Sequence, residues 1–138
     1  MRRAARSVSL GMLLVAGCAG DGSRIDEMTS DGILPTLASI QDHVFTPICT
    51  ECHFPGGPGP MPLTDESVSF QNLVNVQSVE DPGLLRVNPG DADASYIVHK
   101  IEGRGTIVGT RMPPPPRPAL TAEQIAAIVE WIDSGAAP

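Results

Sequence analysis

Two cysteines and one histidine form the chemically most distinctive pattern of the chain, in the stretch Cys49-Thr50-Glu51-Cys52-His53. Thiols with this spacing can each form a thioether bond to one vinyl group of the same porphyrin. A histidine directly after the second thiol is then held beneath the iron, where its imidazole can ligate the metal. This order of residues, C-x-x-C-H, is typical of covalent haem attachment. We therefore predict that Cys49 and Cys52 anchor one haem c and that His53 is the proximal ligand of its iron.

The same cysteine pair has two alternative interpretations, a redox-active dithiol and one half of a zinc site. A zinc site needs a second pair of ligands. The chain has only three cysteines and three histidines, and the remaining ones, Cys18, His43 and His99, form no C-x-x-C or H-x-x-x-H pair. A thioredoxin-like dithiol is expected in a βαβ context, which the surrounding sequence does not predict. The haem interpretation is therefore favoured over both alternatives.

An iron held by one histidine has a second axial position. The candidates for it are Met112, Met61, His99 and His43. Met112 lies between a Gly/Arg-rich loop and the four prolines 113–116, and this rigidity would hold a thioether against the iron with little loss of entropy. Met61 follows His53 by only eight residues and is expected on the same side of the haem. Because Met/His ligation is common at haem c, Met112 is the preferred distal ligand, while His99, Met61 and an open position remain alternatives.

The composition predicts one acidic domain with a modest core. The chain has 138 residues, a formal net charge of −7, 14 glycines, 14 prolines and only 4% aromatic residues. A chain this small and loop-rich buries a small core, to which a haem would add a large apolar plate. Loss of residues 1–17, which contain three arginines and no acid, would leave six Lys and Arg against 16 Asp and Glu, a net charge of −10. This excess of acidic residues argues against nucleic-acid binding. It predicts that the negative charge either attracts a basic redox partner or keeps the protein soluble.

Residues 1–17 have the pattern of an export signal. Three arginines lie within the first six residues, and residues 7–17 are mostly apolar but shorter than the roughly 20 residues that span a bilayer. The segment ends in Val-Ala-Gly before Cys18, which resembles the lipobox of bacterial lipoproteins. The resemblance implies lipid attachment to Cys18 and, because Ala19 rather than Asp follows, anchoring at the periplasmic face of the outer membrane rather than at the inner membrane. An ordinary signal peptide with an incidental cysteine is the alternative, and residues 18–34 are predicted to be a flexible tether.

A first helix is predicted from about Thr36 to Phe45, just before the haem motif. Its apolar residues recur at the spacing i, i+3, i+4, i+7, with one polar exception at Gln41. Pro47 is expected to interrupt this helix before the motif. His43 lies on the same helix and is predicted to be an exposed polar residue.

The Gly/Pro-rich segment 54–65 after the motif is predicted to be a loop that passes under the haem edge. A backbone carbonyl of this loop, at Pro60 or Pro62, is expected to accept the Nδ1 proton of His53 and so to fix the orientation of the ring. The following residues, 66–79, are predicted to form a short helical or irregular segment.

Further elements are predicted in the second half of the chain. A short helix from about residue 94 to 102 is expected to be capped by Asp91 or Asp93 and ended by Gly103. The prolines 113–116 predict an extended, polyproline-like run. The last helix, 121–135, begins with a capping box and carries an apolar stripe bordered by a tryptophan.

With these residues, the segment from about 35 to 138 resembles a class I monohaem cytochrome c domain. The order matches: first helix, C-x-x-C-H, Gly/Pro loop, middle helices, methionine loop and last helix. The stretches Gly90 to Tyr96, Arg111-Met112-Pro-Pro and 121–135 resemble a bacterial branch of such domains. The resemblance implies an all-α fold in which three to five short helices wrap one covalent haem. It also implies that the first and last helices cross, with Phe45 and Trp131 near the crossing or the haem edge.

The motif and the resemblance together predict a periplasm-facing electron carrier rather than an enzyme. If His53 and Met112 fill both axial positions, no coordination position is left for a substrate, and the haem would transfer single electrons. Two alternatives stay open. One is a haem-based gas or redox sensor, in which Met112 leaves the iron readily. The other is a non-catalytic haem subunit that docks to a larger oxidoreductase through its acidic surface.

Overall fold

The computed structural model describes residues 32–138, which consist of short helices joined by long loops. The helices are α1 (Leu37–Ile40), a π-helical segment that continues it (Gln41–Cys49), α2 (Glu66–Leu73), α3 (Tyr96–Glu102) and α4 (Ala122–Asp133). Within this part of the chain, β-structure is limited to three isolated bridges. The predicted all-α class with three to five short helices is therefore confirmed. The predicted export signal, Cys18 and the tether up to residue 31 lie outside the described residues.

The first helix begins as predicted but does not end where the sequence predicts. Thr36 caps it, because the hydroxyl oxygen accepts a hydrogen bond from the backbone N–H of Ser39 at 3.3 Å. The helix then passes through Pro47 and ends at Cys49. The predicted interruption before the haem motif is therefore wrong, and the first cysteine of the motif is the last residue of the helix.

The change from α- to π-helical winding explains how the helix accommodates Pro47. The amide of Thr50 donates to the carbonyl of Phe45, five residues earlier, at 2.9 Å, which is the bonding pattern of a π-helix. In an α-helix a proline ring clashes with the carbonyl four residues earlier. Because the π-helix shifts bonding to the fifth residue, this conflict is reduced and the chain stays helical up to Cys49.

The two middle helices lie near their predicted positions, with one difference in capping. Asp65 begins α2, since its carboxylate accepts from the amide of Val68 at 2.9 Å. The N-cap of α3 is Ser95 rather than Asp91 or Asp93. Asp91 instead accepts from the amide of Ala94 at 2.9 Å, so its carboxylate stabilises the turn before the helix. The predicted end of α3 at Gly103 is confirmed, and its φ of +71° is a conformation that favours glycine.

The last helix, α4, is confirmed in detail. Thr121 accepts from the amide of Gln124 at 3.2 Å, and the Gln124 side chain accepts from the amide of Thr121 at 2.9 Å. This reciprocal pair is the predicted capping box. The helix ends at Asp133, and Gly135 follows with a φ of +108°.

A single apolar core joins the helices, and α4 contacts both α1 and α3. Phe45 and Trp131 are both buried in this core, at 1% and 2% exposure. The indole N–H of Trp131 donates to the carbonyl of Ala137 at 2.7 Å, so the large aromatic ring carries no unsatisfied donor. The side chains with less than 2% exposure include Leu37, Ile40, Val44, Leu73, Val87, Val98, Ile128 and Ile132.

The prolines after Met112 do not form the uniform extended run that the sequence predicts. The backbone turns where the amide of Arg117 donates to the carbonyl of Pro114 at 3.1 Å, and two X–Pro peptide bonds in this stretch are cis. The guanidinium of Arg111 donates to the carbonyl of Pro113 at 2.6 Å and to that of Arg117 at 3.0 Å. A regular polyproline helix leaves its carbonyls to water, whereas here an arginine side chain and a turn bind them.

Candidate haem-attachment site

The structure folds the two cysteines and the histidine of the motif into one turn at the end of the π-helical segment. The amides of Cys52 and His53 both donate to the carbonyl of Cys49, at 3.1 and 2.9 Å. Both cysteines are half-buried and carry free thiols, and Cys49 packs against the apolar core. The three predicted site residues are therefore brought together on one short piece of backbone.

The surroundings of Cys49 do not activate its thiol. Burial raises the pKa of this thiol to about 12, so that it stays protonated at neutral pH. A redox-active dithiol normally has one thiol with a lowered pKa. The environment of Cys49 is therefore not that of an activated thiol.

His53 is oriented by a backbone carbonyl, as predicted, but the carbonyl belongs to Met61 rather than to Pro60 or Pro62. The Nδ1 atom lies 3.0 Å from the carbonyl oxygen of Met61. A carbonyl oxygen can only accept a hydrogen bond, so Nδ1 carries the proton and Nε2 of the neutral ring keeps its lone pair. The ring is thus held in the tautomer that a metal ligand requires.

The loop segment that orients His53 is itself held at three consecutive carbonyls. After the Met61 carbonyl, the carbonyl of Pro62 accepts from the side-chain amide of Asn72 on α2 at 2.8 Å. The carbonyl of Leu63 accepts from the side-chain amide of Gln41 at 2.9 Å. The backbone N–H of Leu63 also donates to the carbonyl of His53, at 2.8 Å. The loop therefore has little freedom to move away from the imidazole.

Gln41 is a positioning residue that the sequence analysis did not identify. It is 4% exposed, and its side-chain oxygen accepts from the hydroxyl of Ser69 on α2 at 2.7 Å, while its amide binds the Leu63 carbonyl. Because buried polar groups need hydrogen-bond partners, this one side chain links the first helix, α2 and the loop. The signal in the sequence was its place on the apolar stripe of the first helix, where a core-facing glutamine needs a specific partner.

Gly59 lies directly against the imidazole of His53. A Cβ atom at Gly59 would lie 2.6 Å from Nδ1 and 2.7 Å from Cε1 of that ring. Its amide donates to the carbonyl of Cys52 at 2.9 Å, which holds the loop backbone close to the turn. The glycine is therefore required by the close approach of the loop, and the predicted non-helical loop after the motif is confirmed.

Met112 lies on a separate loop, which α3 holds from one side. The amide of Met112 donates to the carbonyl of Lys100 at 2.7 Å. The ammonium of Lys100 is bound to the carbonyl of Val108 at 2.7 Å and to the carboxylate of Glu80 at 3.2 Å. The hydroxyl of Tyr96 accepts from the amide of Val108 at 3.1 Å and donates to Glu80 at 2.6 Å. Lys100, 8% exposed, and Tyr96 thus fasten the loop that leads to Met112.

The charges in this network reinforce one another. Partial burial of the Glu80 carboxylate acts to raise its pKa, but hydrogen bonds from Tyr96 and Lys100 and the charge of Lys100 outweigh it and leave the pKa below its ordinary value. Burial, and then the hydrogen bond to Glu80, raise the pKa of Tyr96. Glu80 is therefore ionised and Tyr96 neutral around pH 7, which is the combination that their hydrogen bond needs.

An ion pair joins the methionine loop to the cysteine turn. The Nε atom of Arg117 lies 3.0 Å from a carboxylate oxygen of Glu51, which is one of the two residues between the cysteines. The two partners are 66 residues apart in sequence. The structure therefore ties the loop that carries Met112 to the turn that carries His53.

The other candidate ligands have different surroundings. The Nε2 atom of His99 lies 2.8 Å from the carbonyl of Asp93 and donates to it, so the nitrogen that is free in His53 is occupied in His99. His43 is exposed, as predicted, and its Nδ1 lies 2.8 Å from the carbonyl of Ser39. Met61 packs against the apolar core and follows His53 on the same loop. His43 thus shares the Nδ1-bound arrangement of His53, but it is exposed on the first helix and lies outside the Cys49–His53 turn.

Among residues 32–138, no group of three or more His, Cys, Asp or Glu side chains is arranged to hold a metal ion. None of the helices in this region has the length and apolar character needed to cross a membrane. Two surface depressions, of about 380 and 280 Å³, lie between α3 and α4 and beside α2. Neither is lined by a residue of the Cys49–His53 turn or by Met112.

Comparison of the chain with models of protein families, with curated proteins and with solved structures found no significant match.

Proposed function

We propose that this chain is a c-type cytochrome that transfers single electrons through one covalently bound haem. The observation that carries the proposal is the state of His53, whose Nδ1 proton is bound to the Met61 carbonyl so that Nε2 is available as a donor atom. A haem iron takes a neutral imidazole whose other nitrogen is hydrogen-bonded. The residues present therefore fit the group that the C-x-x-C-H pattern implies.

The remaining donors fit the same group. Cys49 and Cys52 are unpaired, half-buried thiols on one turn directly before His53, which suits two thioether bonds to one porphyrin. Met112 would supply a thioether sulfur as the second donor, from a loop that is held by the hydrogen bond to Lys100 and by the ion pair with Glu51. When bound, the haem supplies one-electron chemistry at its iron. The chain would hold the haem through Cys49 and Cys52 and orient the imidazole of His53, and a second donor from Met112 would leave no position for a substrate, which favours electron transfer over catalysis.

The acidic charge supports a proposal about the partner. The six bases and 16 acids that follow residue 17 would attract a redox protein with a basic docking surface. Attraction between surface charges acts over roughly 10 Å at 0.1 M salt. We expect association with such a partner to slow as salt is added. Together with the lipobox at Cys18, this describes an exported, lipid-anchored electron carrier.

The test is expression in a host that has the machinery for cytochrome c maturation. We expect haem to remain with the polypeptide after denaturation, because thioether bonds survive unfolding. Cys49→Ala and Cys52→Ala should each weaken this retention, and the double variant should abolish it. The reduced protein should show the absorption spectrum of six-coordinate, low-spin iron and should not bind carbon monoxide.

Two results would contradict the proposal in different ways. A native, haem-free protein that contains zinc would exclude haem as the cofactor. Covalent haem that binds carbon monoxide readily would leave the attachment in place and favour a gas sensor over an electron carrier.

A further inference from the structure

We propose that Glu51 and Arg117 form a positioning pair that holds the methionine loop against the cysteine turn and so determines how firmly Met112 occupies the distal position. The inference rests on the proposed function. Its structural basis is the 3.0 Å contact between the two side chains. Glu51 lies between the two cysteines, at a position where the C-x-x-C-H pattern accepts any residue, and yet its carboxylate reaches the opposite loop.

The backbone of Arg117 is held by two hydrogen bonds, so a contact of its side chain also restricts where the neighbouring backbone can lie. Its amide donates to the carbonyl of Pro114, and its own carbonyl accepts from the guanidinium of Arg111. Arg111 also holds Pro113, directly after Met112. Met112 thus lies within a hydrogen-bonded segment from Arg111 to Arg117, so a contact made by Arg117 also restricts the backbone around Met112.

The ion pair between Glu51 and Arg117 joins the segment from Arg111 to Arg117 to the Cys49–His53 turn. Of the four ion pairs in residues 32–138, one lies between Lys100 and Glu80 and two bind Arg104 to acids on or next to α3. Only the fourth, Glu51 with Arg117, connects the loop to the Cys49–His53 turn. On the other side, the amide of Met112 is bound to α3. Loss of the pair would leave this loop held by its hydrogen bonds to α3 and by the burial of Pro113 and Leu120.

The exposure of the two side chains sets how much their loss should change the affinity of the iron for a competing ligand such as imidazole. The side chains of Glu51 and Arg117 are 54% and 46% exposed, and the strength of such partly exposed pairs corresponds to about a two- to fivefold change in an equilibrium constant. Arg111 donates to two carbonyls in a fork that lysine does not reproduce, so Arg111→Lys should have a larger effect of about tenfold.

The experiment measures the affinity of imidazole for the oxidised, haem-loaded protein, since imidazole must displace Met112 to reach the iron. Glu51→Gln and Arg117→Gln should each raise this affinity about two- to fivefold, and the double variant should add little to either. The exchanged pair, Glu51→Arg with Arg117→Glu, should restore the original affinity. Hydrogen exchange of the Met112 amide, a readout that does not involve the haem, should accelerate by a similar factor in the single variants.

Two control variants distinguish an error in the positioning pair from an error in the distal ligand. Arg104→Gln removes an arginine whose ion pairs with Asp93 and Glu102 do not reach the turn, and it should leave imidazole affinity unchanged. Met112→Ala should raise the affinity strongly. If Met112→Ala does so but the Glu51 and Arg117 variants do not, the positioning pair is disproved while the ligand assignment stands. If Met112→Ala has no effect, the distal ligand is wrong and the inference fails with it.

Discussion

The Nδ1 atom of His53 lies 3.0 Å from the carbonyl oxygen of Met61, eight residues later in the chain. This contact has Nδ1 as the donor, so that in the neutral ring the lone pair is on Nε2, the atom proposed to ligate the iron. Its carbonyl belongs to a loop that Gln41 and Asn72 hold in place. The orientation of the proposed proximal ligand is therefore set by hydrogen bonds within the folded polypeptide.

The close approach of Gly59 to His53 gives a direct test of this arrangement. In Gly59→Ala the new Cβ would overlap the imidazole, so we expect the ring to move and the contact with Met61 to be lost. The free energy of unfolding should fall by about 1–3 kcal/mol, as for other overpacked sites. Denaturant unfolding measures this value, and the absorption spectrum of the haem-loaded variant reports the loss of histidine ligation.

Gly83→Ala is the matched control for this variant. Gly83 is also a loop glycine, but a Cβ there would come no closer than 3.2 Å, to the carboxylate oxygen of Asp81 that accepts from the Gly83 amide at 3.0 Å. We expect stability and spectrum close to those of the original protein. Equal losses in both variants would mean that the effect belongs to loop glycines in general and not to the contact with His53.

Met112 can be distinguished from Met61 and His99 by substitution. Met112→Ala should open the distal position to water or carbon monoxide, and Met112→His should keep the iron six-coordinate but lower the reduction potential, because a thioether favours ferrous iron. Met61→Ala and His99→Ala should change neither the spectrum nor the potential. A normal spectrum and potential in Met112→Ala would instead make His99 the leading candidate.

The network around Glu80 predicts a dependence of stability on pH. Because the pKa of Glu80 is below its ordinary value of 4.5 in the folded protein, its contribution is fully present above that value and is lost as the pH falls through the folded-state pKa. At pH 7, Glu80→Gln should lower the free energy of unfolding by about 1 kcal/mol, and the difference should shrink in acid. Glu130→Gln, on the exposed side of α4, is the control and should show no such trend.

The resemblance of the residues before Cys18 to a lipobox predicts the location of the protein. Mature protein should begin at Cys18, carry lipid on its sulfur and partition with membranes. Cys18→Ser should prevent lipidation and release the chain from the membrane fraction. Mass spectrometry of the purified protein checks both points, and an unmodified cysteine or cleavage at another residue would remove the anchor from the proposal.

Features that depend on neighbouring residues were predictable from the sequence. Thr121 and Gln124 form their capping box within one turn, and Gly103 ends α3 through its own backbone conformation. The prediction at Pro47 was wrong because the rule for proline assumes α-helical winding, whereas this segment is π-helical. The apolar spacing of this segment does not predict the change from α-helical to π-helical winding.

Features that join distant parts of the chain were not predictable in the same way. The general expectation that a loop carbonyl binds His53 was confirmed, but the choice of Met61 depends on where Gln41 and Asn72 hold the loop. The contact of Glu51 with Arg117 spans 66 residues, and no spacing pattern connects the two. Such contacts are determined by the packing of the whole core around the first and last helices.

The π-helical segment places a constraint on the length of the chain as well as on its composition. Val44 and Phe45 are fixed in the core, and Cys49 follows them on the same helix. Insertion or deletion of one residue between Phe45 and Cys49 would rotate the cysteine about the helix axis relative to those buried side chains. Exposed positions such as Asp42 can therefore vary in type over evolution, whereas the number of residues between the core and the first thiol is expected to stay constant.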